Sequence, residues 1–96
     1  DTKWNEIRIA MYEFPSNVYW RTKDIENGYI SHWDSEWFYH FALGGYKCIE
    51  WLEIRYEPKD REEIIRILKK IHVPGELLSK TIKIYGYVKD CSIDYL

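Results

Sequence analysis

This chain of 96 residues lacks several features that would classify it at once. Its two cysteines, Cys48 and Cys91, form no CxxC pair of the kind found in zinc sites and redox motifs. No stretch approaches the roughly 20 apolar residues of a membrane span, and no signal peptide is visible. We therefore expect a cytoplasmic protein with reduced thiols and no membrane partner. A disulfide between the two cysteines is the alternative.

The chain also has no strong excess of charge of one sign. Its formal net charge is -2, with 14 basic and 16 acidic residues. This balance disfavours a nucleic-acid binder that relies on a broad basic field, although it leaves room for a local basic groove.

Aromatic residues, in contrast, are abundant and make up 18% of the chain. Three of the five tryptophans, Trp33, Trp37 and Trp51, lie close together in the middle of the sequence. A buried aromatic side chain removes about 150–250 Å² from water. These residues therefore indicate either a strongly aromatic core or a binding face.

The predicted elements indicate a single α+β domain over residues 1–96. Apolar residues at helical spacing predict helices over 2–14 and 58–71. β-rich segments between turn signals predict strands over residues 18–23, 29–33, 37–43, 46–56, 81–88 and 92–95. The order α-β-β-β-β-α-β-β predicts a mainly antiparallel sheet of about six strands with two helices packed on one face. The first four strands are expected to form a meander.

Two segments are less regular in pattern. Residues 76–80 fit either a short helical turn or a loop. The predicted strand over 37–43 is bulky on both sides, because alternation places Trp37, Tyr39 and Phe41 on one face and Phe38 with His40 on the other.

No recognisable catalytic motif is present, so we do not expect an enzyme. His32 and His40 flank a predicted turn, but a zinc site needs three or four converging ligands. Cys48 is expected to be an inert, buried thiol rather than a nucleophile. We therefore predict no catalytic residue, no metal and no cofactor. A small enzyme or nucleotide-binding regulator that uses His32, His40 and Glu50 is the alternative.

The polar tip between Trp33 and Trp37 has the composition of a protein-binding surface. Trp, Tyr and Arg dominate interface hot spots, whereas acids at the rim set specificity and association rate. The ordinary alternative is that the two tryptophans pack across the base of a hairpin. The predicted partner-binding residues are Asp24, Glu26, Trp33, Asp34, Glu36 and Trp37.

A nucleic-acid partner is the less favoured alternative. Bases can stack on aromatic side chains that alternate with Lys or Arg on a sheet. The residues with this pattern are Tyr19, Arg21, Lys23, Lys83, Tyr85 and Tyr87.

Several short motifs, read together, suggest a family. They are KWNE at 3–6, WRTK at 20–23, WD at 33–34, WFYHF at 37–41, GGYK at 44–47, IEW at 49–51, IHVPG at 71–75 and YGY at 85–87. Nearly end to end, the chain resembles a small uncharacterised bacterial family, domain of unknown function 6678. The resemblance implies a bacterial origin and a free-standing small protein. It transfers no activity and no catalytic residue.

Small, acidic-leaning bacterial proteins without a catalytic motif often neutralise a toxin, which is an argument from class. We therefore expect an immunity or antitoxin-like protein that binds a cognate toxin directly, as a monomer or a homodimer. The alternative is a small enzyme, or a nucleotide- or nucleic-acid-binding regulator that uses the aromatic-rich sheet face.

Overall fold

The computed structural model of the chain describes residues 2–43, 45–86 and 96. The sheet is antiparallel, with four strands in the order β1-β2-β4-β3. A short 3-10 helix over Pro58–Asp60 precedes the second α-helix. The elements are α1 (Thr2–Tyr12), β1 (Tyr19–Asp24), β2 (Ile49–Arg55), α2 (Arg61–Ile71), β3 (Gly75–Leu77) and β4 (Thr81–Tyr85). The predicted α+β class is confirmed.

One face of the sheet forms the core with both helices. Leu52 and Ile54 of β2 are fully buried, and their cross-strand partners Ile84 and Ile82 of β4 are buried beside them. Because side chains alternate along a strand, these four residues share one face. The buried helix side chains in the same cluster are Trp4, Ile7 and Met11 of α1 and Ile64 and Leu68 of α2. Both helices therefore cover this face of the sheet.

The prediction of about six strands is wrong for the described residues, which form four. Residues 29–33 were expected to form the second strand, but this region has only isolated bridges to β1, at Ile30 and Asp34. The two bridges differ in register by one residue. Between them, the Thr22 backbone N–H donates to the Ser31 hydroxyl oxygen at 3.0 Å. A side chain thus takes the place of a backbone acceptor, and the segment lies along β1 without becoming a strand.

The predicted strand over residues 37–43 is a run of turns instead. Trp37 and Phe41 are each 3% exposed, whereas Tyr39 between them is 73% exposed. A spacing of four residues between buried positions is that of a helical turn, not of an alternating strand. The backbone N–H groups that a strand would use are bonded to the Glu36 side chain.

The rest of the sheet lies closer to the prediction. The expected four-strand meander is wrong for the described residues: the segment expected over 46–56 contains β2, which pairs directly with β1 because the two segments expected between them are not strands. Residues 76–80, expected as a helical turn or a loop, begin instead with the end of β3, which pairs with β4, and only residues 78–80 lie outside a strand. β4 begins at Thr81 as expected. Residues 87–88, which were expected to continue this strand, and the predicted strand over 92–95 lie outside the described residues.

The close approach of β3 to β4 gives a stability prediction. A Cβ atom on Gly75 would lie 2.3 Å from the backbone carbonyl oxygen of Lys83. We expect Gly75→Ala to lower the free energy of unfolding by about 1–3 kcal/mol, because the backbone must move to make room. Chemical denaturation would measure this loss. Lys80→Ala, at an exposed position, is the control and should change stability by less than about 0.5 kcal/mol. If Gly75→Ala is as stable as Lys80→Ala, the close approach of β3 to β4 at Gly75 would be contradicted.

Candidate functional site

Two of the predicted contact residues, Asp34 and Glu36, shape the turn that follows them. Asp34 Oδ1 accepts a hydrogen bond from the Glu36 N–H at 2.8 Å, and its Oδ2 lies 2.9 Å from Nδ1 of His40. The Glu36 carboxylate accepts hydrogen bonds from three backbone N–H groups. They belong to Phe38, Tyr39 and His40, at 3.1, 2.8 and 2.7 Å. Both carboxylates are therefore engaged by the chain itself.

Asp24 holds a second turn in the same way. Its Oδ1 accepts hydrogen bonds from the N–H groups of Glu26 at 2.8 Å and Asn27 at 3.2 Å. Gly28 closes this turn with φ +73, a left-handed conformation that favours glycine. Glu26 is exposed on this turn.

The two predicted contact tryptophans lie in different surroundings. Trp37 is 3% exposed, and its indole N–H donates to the carbonyl oxygen of Val18 at 2.9 Å. Trp33 is half-buried, with the guanidinium carbons of Arg21 and Arg55 each 4.6 Å from its ring centroid. Trp37 therefore belongs to the core and Trp33 to the sheet face opposite the helices. The structure does not bring the two rings together at one surface.

An exposed aromatic cluster lies beside the turn that Glu36 holds. The Phe38 ring centroid lies 5.1 Å from that of Tyr12 on α1 and 5.0 Å from that of Tyr39. The Arg8 guanidinium carbon lies 4.5 Å from the Phe38 ring centroid, and Arg8 Nε donates to the Phe38 carbonyl oxygen at 2.8 Å. Tyr12, Phe38 and Tyr39 are 57%, 38% and 73% exposed. We call Arg8, Tyr12, Phe38 and Tyr39 the aromatic turn surface.

Sequence reasoning missed this surface because it assigned residues 37–43 to a strand. The spacing of residues along α1 was the one sequence feature that pointed to this surface. Arg8 and Tyr12 lie off the apolar side of α1 that contains Ile7 and Met11, so that they point away from the core. The partner that they find across the chain, Phe38, is a tertiary contact that no local pattern reveals.

A second cluster lies on the face of the sheet away from the helices. The strand register places the aromatic and basic residues of the nucleic-acid alternative on this face. They are Tyr19, Arg21, Lys23, Lys83 and Tyr85. Tyr87 of the same set lies outside the described residues. Tyr85 donates to the carboxylate of Glu76, and this hydrogen bond, together with burial, raises the pKa of Tyr85 to about 12.

A cleft of about 270 Å³ opens between β1 and the residues that precede β2. Of the residues in the enzymatic alternative, His40 lines this cleft, whereas His32 and Glu50 do not. Cys48 also lines it. Desolvation raises the pKa of the Cys48 thiol, and the carboxylates of Glu26 and Asp24 raise it further. A raised pKa disfavours the thiolate, which is the nucleophilic form of cysteine.

Three further observations concern metals, thiols and membranes. Within the described residues, no group of three or more His, Cys, Asp or Glu side chains is placed to hold a metal ion. Cys48 carries a free thiol, and Cys91 lies outside the part of the chain that the structure describes. Neither described helix has the length and apolar character needed to cross a bilayer.

The sequence comparison identifies the family but not an activity. Residues 1–91 match a family of unknown function, DUF6678. The chain belongs to this family. The resemblance read from the motifs is thereby confirmed. No curated protein and no solved structure matches the chain. A function for this DUF6678 member is therefore inferred from the geometry of its own residues.

The two turn carboxylates predict how stability depends on pH. The N–H groups of His40, Tyr39 and Phe38 lower the pKa of Glu36 below 4.5, although desolvation opposes this shift. Burial raises the pKa of Asp34, but the Glu36 N–H and the His40 side chain together outweigh it and bring the value below 3.8. A carboxyl whose pKa is lowered by folding stabilises the fold above its unfolded value, and this contribution disappears as pH falls through the folded value.

We therefore expect the double variant Asp34→Asn, Glu36→Gln to be less stable than the wild type at neutral pH. The difference should shrink between about pH 5 and pH 3, as the wild-type carboxylates become protonated. Thermal unfolding across this range would measure it. Glu6→Gln, at an exposed position of α1, controls for the loss of a negative charge. A difference that stays constant with pH would contradict the assigned role of the two acids.

Proposed function

We propose that this protein is a protein-binding module whose contact surface is the aromatic turn surface of Arg8, Tyr12, Phe38 and Tyr39. The observation that supports the proposal is the exposure of three contacting aromatic rings around a turn whose backbone is held by side chains. Tyr39, the most exposed of them, is 73% exposed. Exposed apolar patches bordered by polar groups are typical of interaction sites.

The rigidity of the turn supports the same proposal. Binding costs free energy when flexible side chains and loops must be ordered, so a pre-organised surface loses less. Here the Glu36 carboxylate bonds the N–H groups of residues 38–40. Arg8 adds a second connection, through its hydrogen bond to the Phe38 carbonyl oxygen. The rings are thus presented to a partner in one arrangement.

In this proposal the predicted contact residues have different roles. Asp34 and Glu36 position the turn, and Trp37 anchors it from the core. Glu26, exposed on the neighbouring turn, is an acid that can guide the approach of a basic partner. Tyr12, Phe38 and Tyr39 make the main contact, because aromatic side chains provide large contact areas at little conformational cost.

The partner that we propose is a toxin, which this protein neutralises by covering its active site or its substrate groove. The support for this step is an argument from class: a small, acidic-leaning protein with no recognisable catalytic motif, in a family of unknown function. The aromatic surface suits such a partner because active-site grooves are concave and largely apolar.

The contact surface can be tested with a partner isolated by affinity capture from the source organism and then purified. We expect Tyr39→Ala to weaken binding by about 30-fold in a calorimetric titration, as the truncation of a hot-spot aromatic does. Only the backbone of Tyr39 bonds to Glu36, so the turn should survive this change. Tyr29→Ala is the matched control, because Tyr29 is 59% exposed just after the separate turn that Asp24 holds.

The same variants test the toxin proposal. If the partner inhibits growth when it is produced alone, co-production of the wild type or of Tyr29→Ala should restore growth, and Tyr39→Ala should not. Equal affinities for Tyr39→Ala and Tyr29→Ala would contradict the surface assignment. A captured partner that is harmless to cells would contradict the toxin and leave the binding surface intact.

A further inference from the structure

The open face of the sheet, which points away from the helices, gathers positive charge around one buried carboxylate. Glu53 of β2 is 7% exposed. It accepts hydrogen bonds from Arg21 Nε at 2.8 Å and from the Thr81 hydroxyl at 2.7 Å. Lys83 lies opposite Glu53 on β4, and Arg55 follows it on the same face of β2. Glu76 lies opposite Lys83 on β3. Three cations and two carboxylates therefore share this part of the face, which is positive although the whole chain is not.

Two of these cations share one indole ring. The guanidinium carbons of Arg21 and Arg55 are each 4.6 Å from the ring centroid of Trp33. Arg55 also lies 4.8 Å from the ring centroid of Tyr19. Aromatic faces attract cations, and this attraction keeps the two like charges close together. Tyr19, Arg21, Trp33 and Arg55 form a stack across the edge of the sheet, which we call the Arg–Trp stack.

Two of the cations keep their charge available to a ligand. Among the described residues, the salt bridges of this region are Arg21 with Glu53 and Lys23 with Glu50. The Arg55 guanidinium lies against the rings of Tyr19 and Trp33, and Lys83 Nζ lies 4.4 Å from the ring centroid of Trp51. Within the described residues, neither Arg55 nor Lys83 forms a salt bridge with a carboxylate.

The chemistry of the ligand follows from this combination of groups. Cations without carboxylate partners attract anions, and a stack of rings and guanidinium planes receives flat, unsaturated rings. A single-stranded nucleic acid supplies both, because its phosphates are anionic and its unpaired bases expose their faces. An acidic peptide would match the charge but not the stack. We propose that this open face, centred on the Arg–Trp stack and Lys83, binds single-stranded nucleic acid.

The positive charge of this face is local, so the expected dependence of binding on salt concentration is moderate. The net charge of -2 gives no long-range attraction to a polyanion. Binding then depends on contacts between phosphates and the two cations without a carboxylate partner, Arg55 and Lys83. Two such contacts to a single strand predict a slope of about -1.4 for the logarithm of affinity against the logarithm of salt concentration. Affinity should therefore fall about sevenfold between about 50 and 200 mM salt.

Fluorescence anisotropy with labelled oligothymidine and oligouridine of about ten nucleotides tests the proposal on the full chain. We expect Arg55→Gln and Lys83→Gln each to weaken binding about three- to tenfold and to reduce the salt slope by about 0.7. Trp33→Leu should weaken binding about tenfold through lost stacking. Arg66→Gln is the matched control. It removes a cation whose side chain is 71% exposed on α2, away from the sheet.

Thermal unfolding of each variant shows that it is folded before its affinity is compared. Binding by the wild type, reduced at Arg55 and Lys83 but not at Arg66, would support the proposal. The proposal is overturned if the wild type does not bind at low salt, or if Arg55→Gln binds as Arg66→Gln does. It is also overturned if polyglutamate competes as strongly as the oligonucleotide, since the face would then recognise acidic proteins. None of these outcomes depends on the aromatic turn surface.

Discussion

The packing of Trp20 against Trp37 and Phe41 is the interaction on which both surfaces of this protein depend. The three ring centroids lie 5.0 to 6.0 Å apart. The indole N–H of Trp20 donates to the Glu36 carbonyl oxygen at 3.0 Å, which joins β1 to the turn. Because Trp37 and Phe41 face inward, Phe38 and Tyr39 between them face solvent. The backbone bridge between Trp20 and Asp34 places the preceding residue, Trp33, over the outward face of the sheet, against Arg21 and Arg55.

The sequence predicts the regular elements well and the middle of the chain poorly. α2 and β4 have clear periods of 3.6 and 2. α2 lies within its predicted limits, and β4 begins at its predicted first residue. Residues 29–43 are rich in β-forming aromatics, yet short polar side chains decide their conformation. Ser31, Asp34 and Glu36 bond backbone N–H groups that strand pairing would require. Such side-chain competition with secondary structure is local in origin, but its outcome depends on where the aromatic rings are buried.

The candidate site could also be predicted only in part from the sequence. Composition drew attention to the right part of the chain, because Trp, Tyr and acids do gather there. It could not separate acids that contact a partner from acids that bond their own backbone. It also could not show that Trp33 and Trp37, four residues apart, point to different faces. That division follows from the bridge between Asp34 and Trp20, which sets the orientation of every neighbouring side chain.

The irregular pairing along the outer edge of β1 has a bearing on aggregation. A regular fifth strand there would have offered a new row of unpaired N–H and C=O groups, with Tyr29 and Ile30 beside them. Such an edge is a template for the strands of other molecules. The slip in register between the bridges at Ile30 and Asp34 interrupts that row while still covering β1. The segment therefore ends the sheet at this edge without offering a regular strand to another molecule.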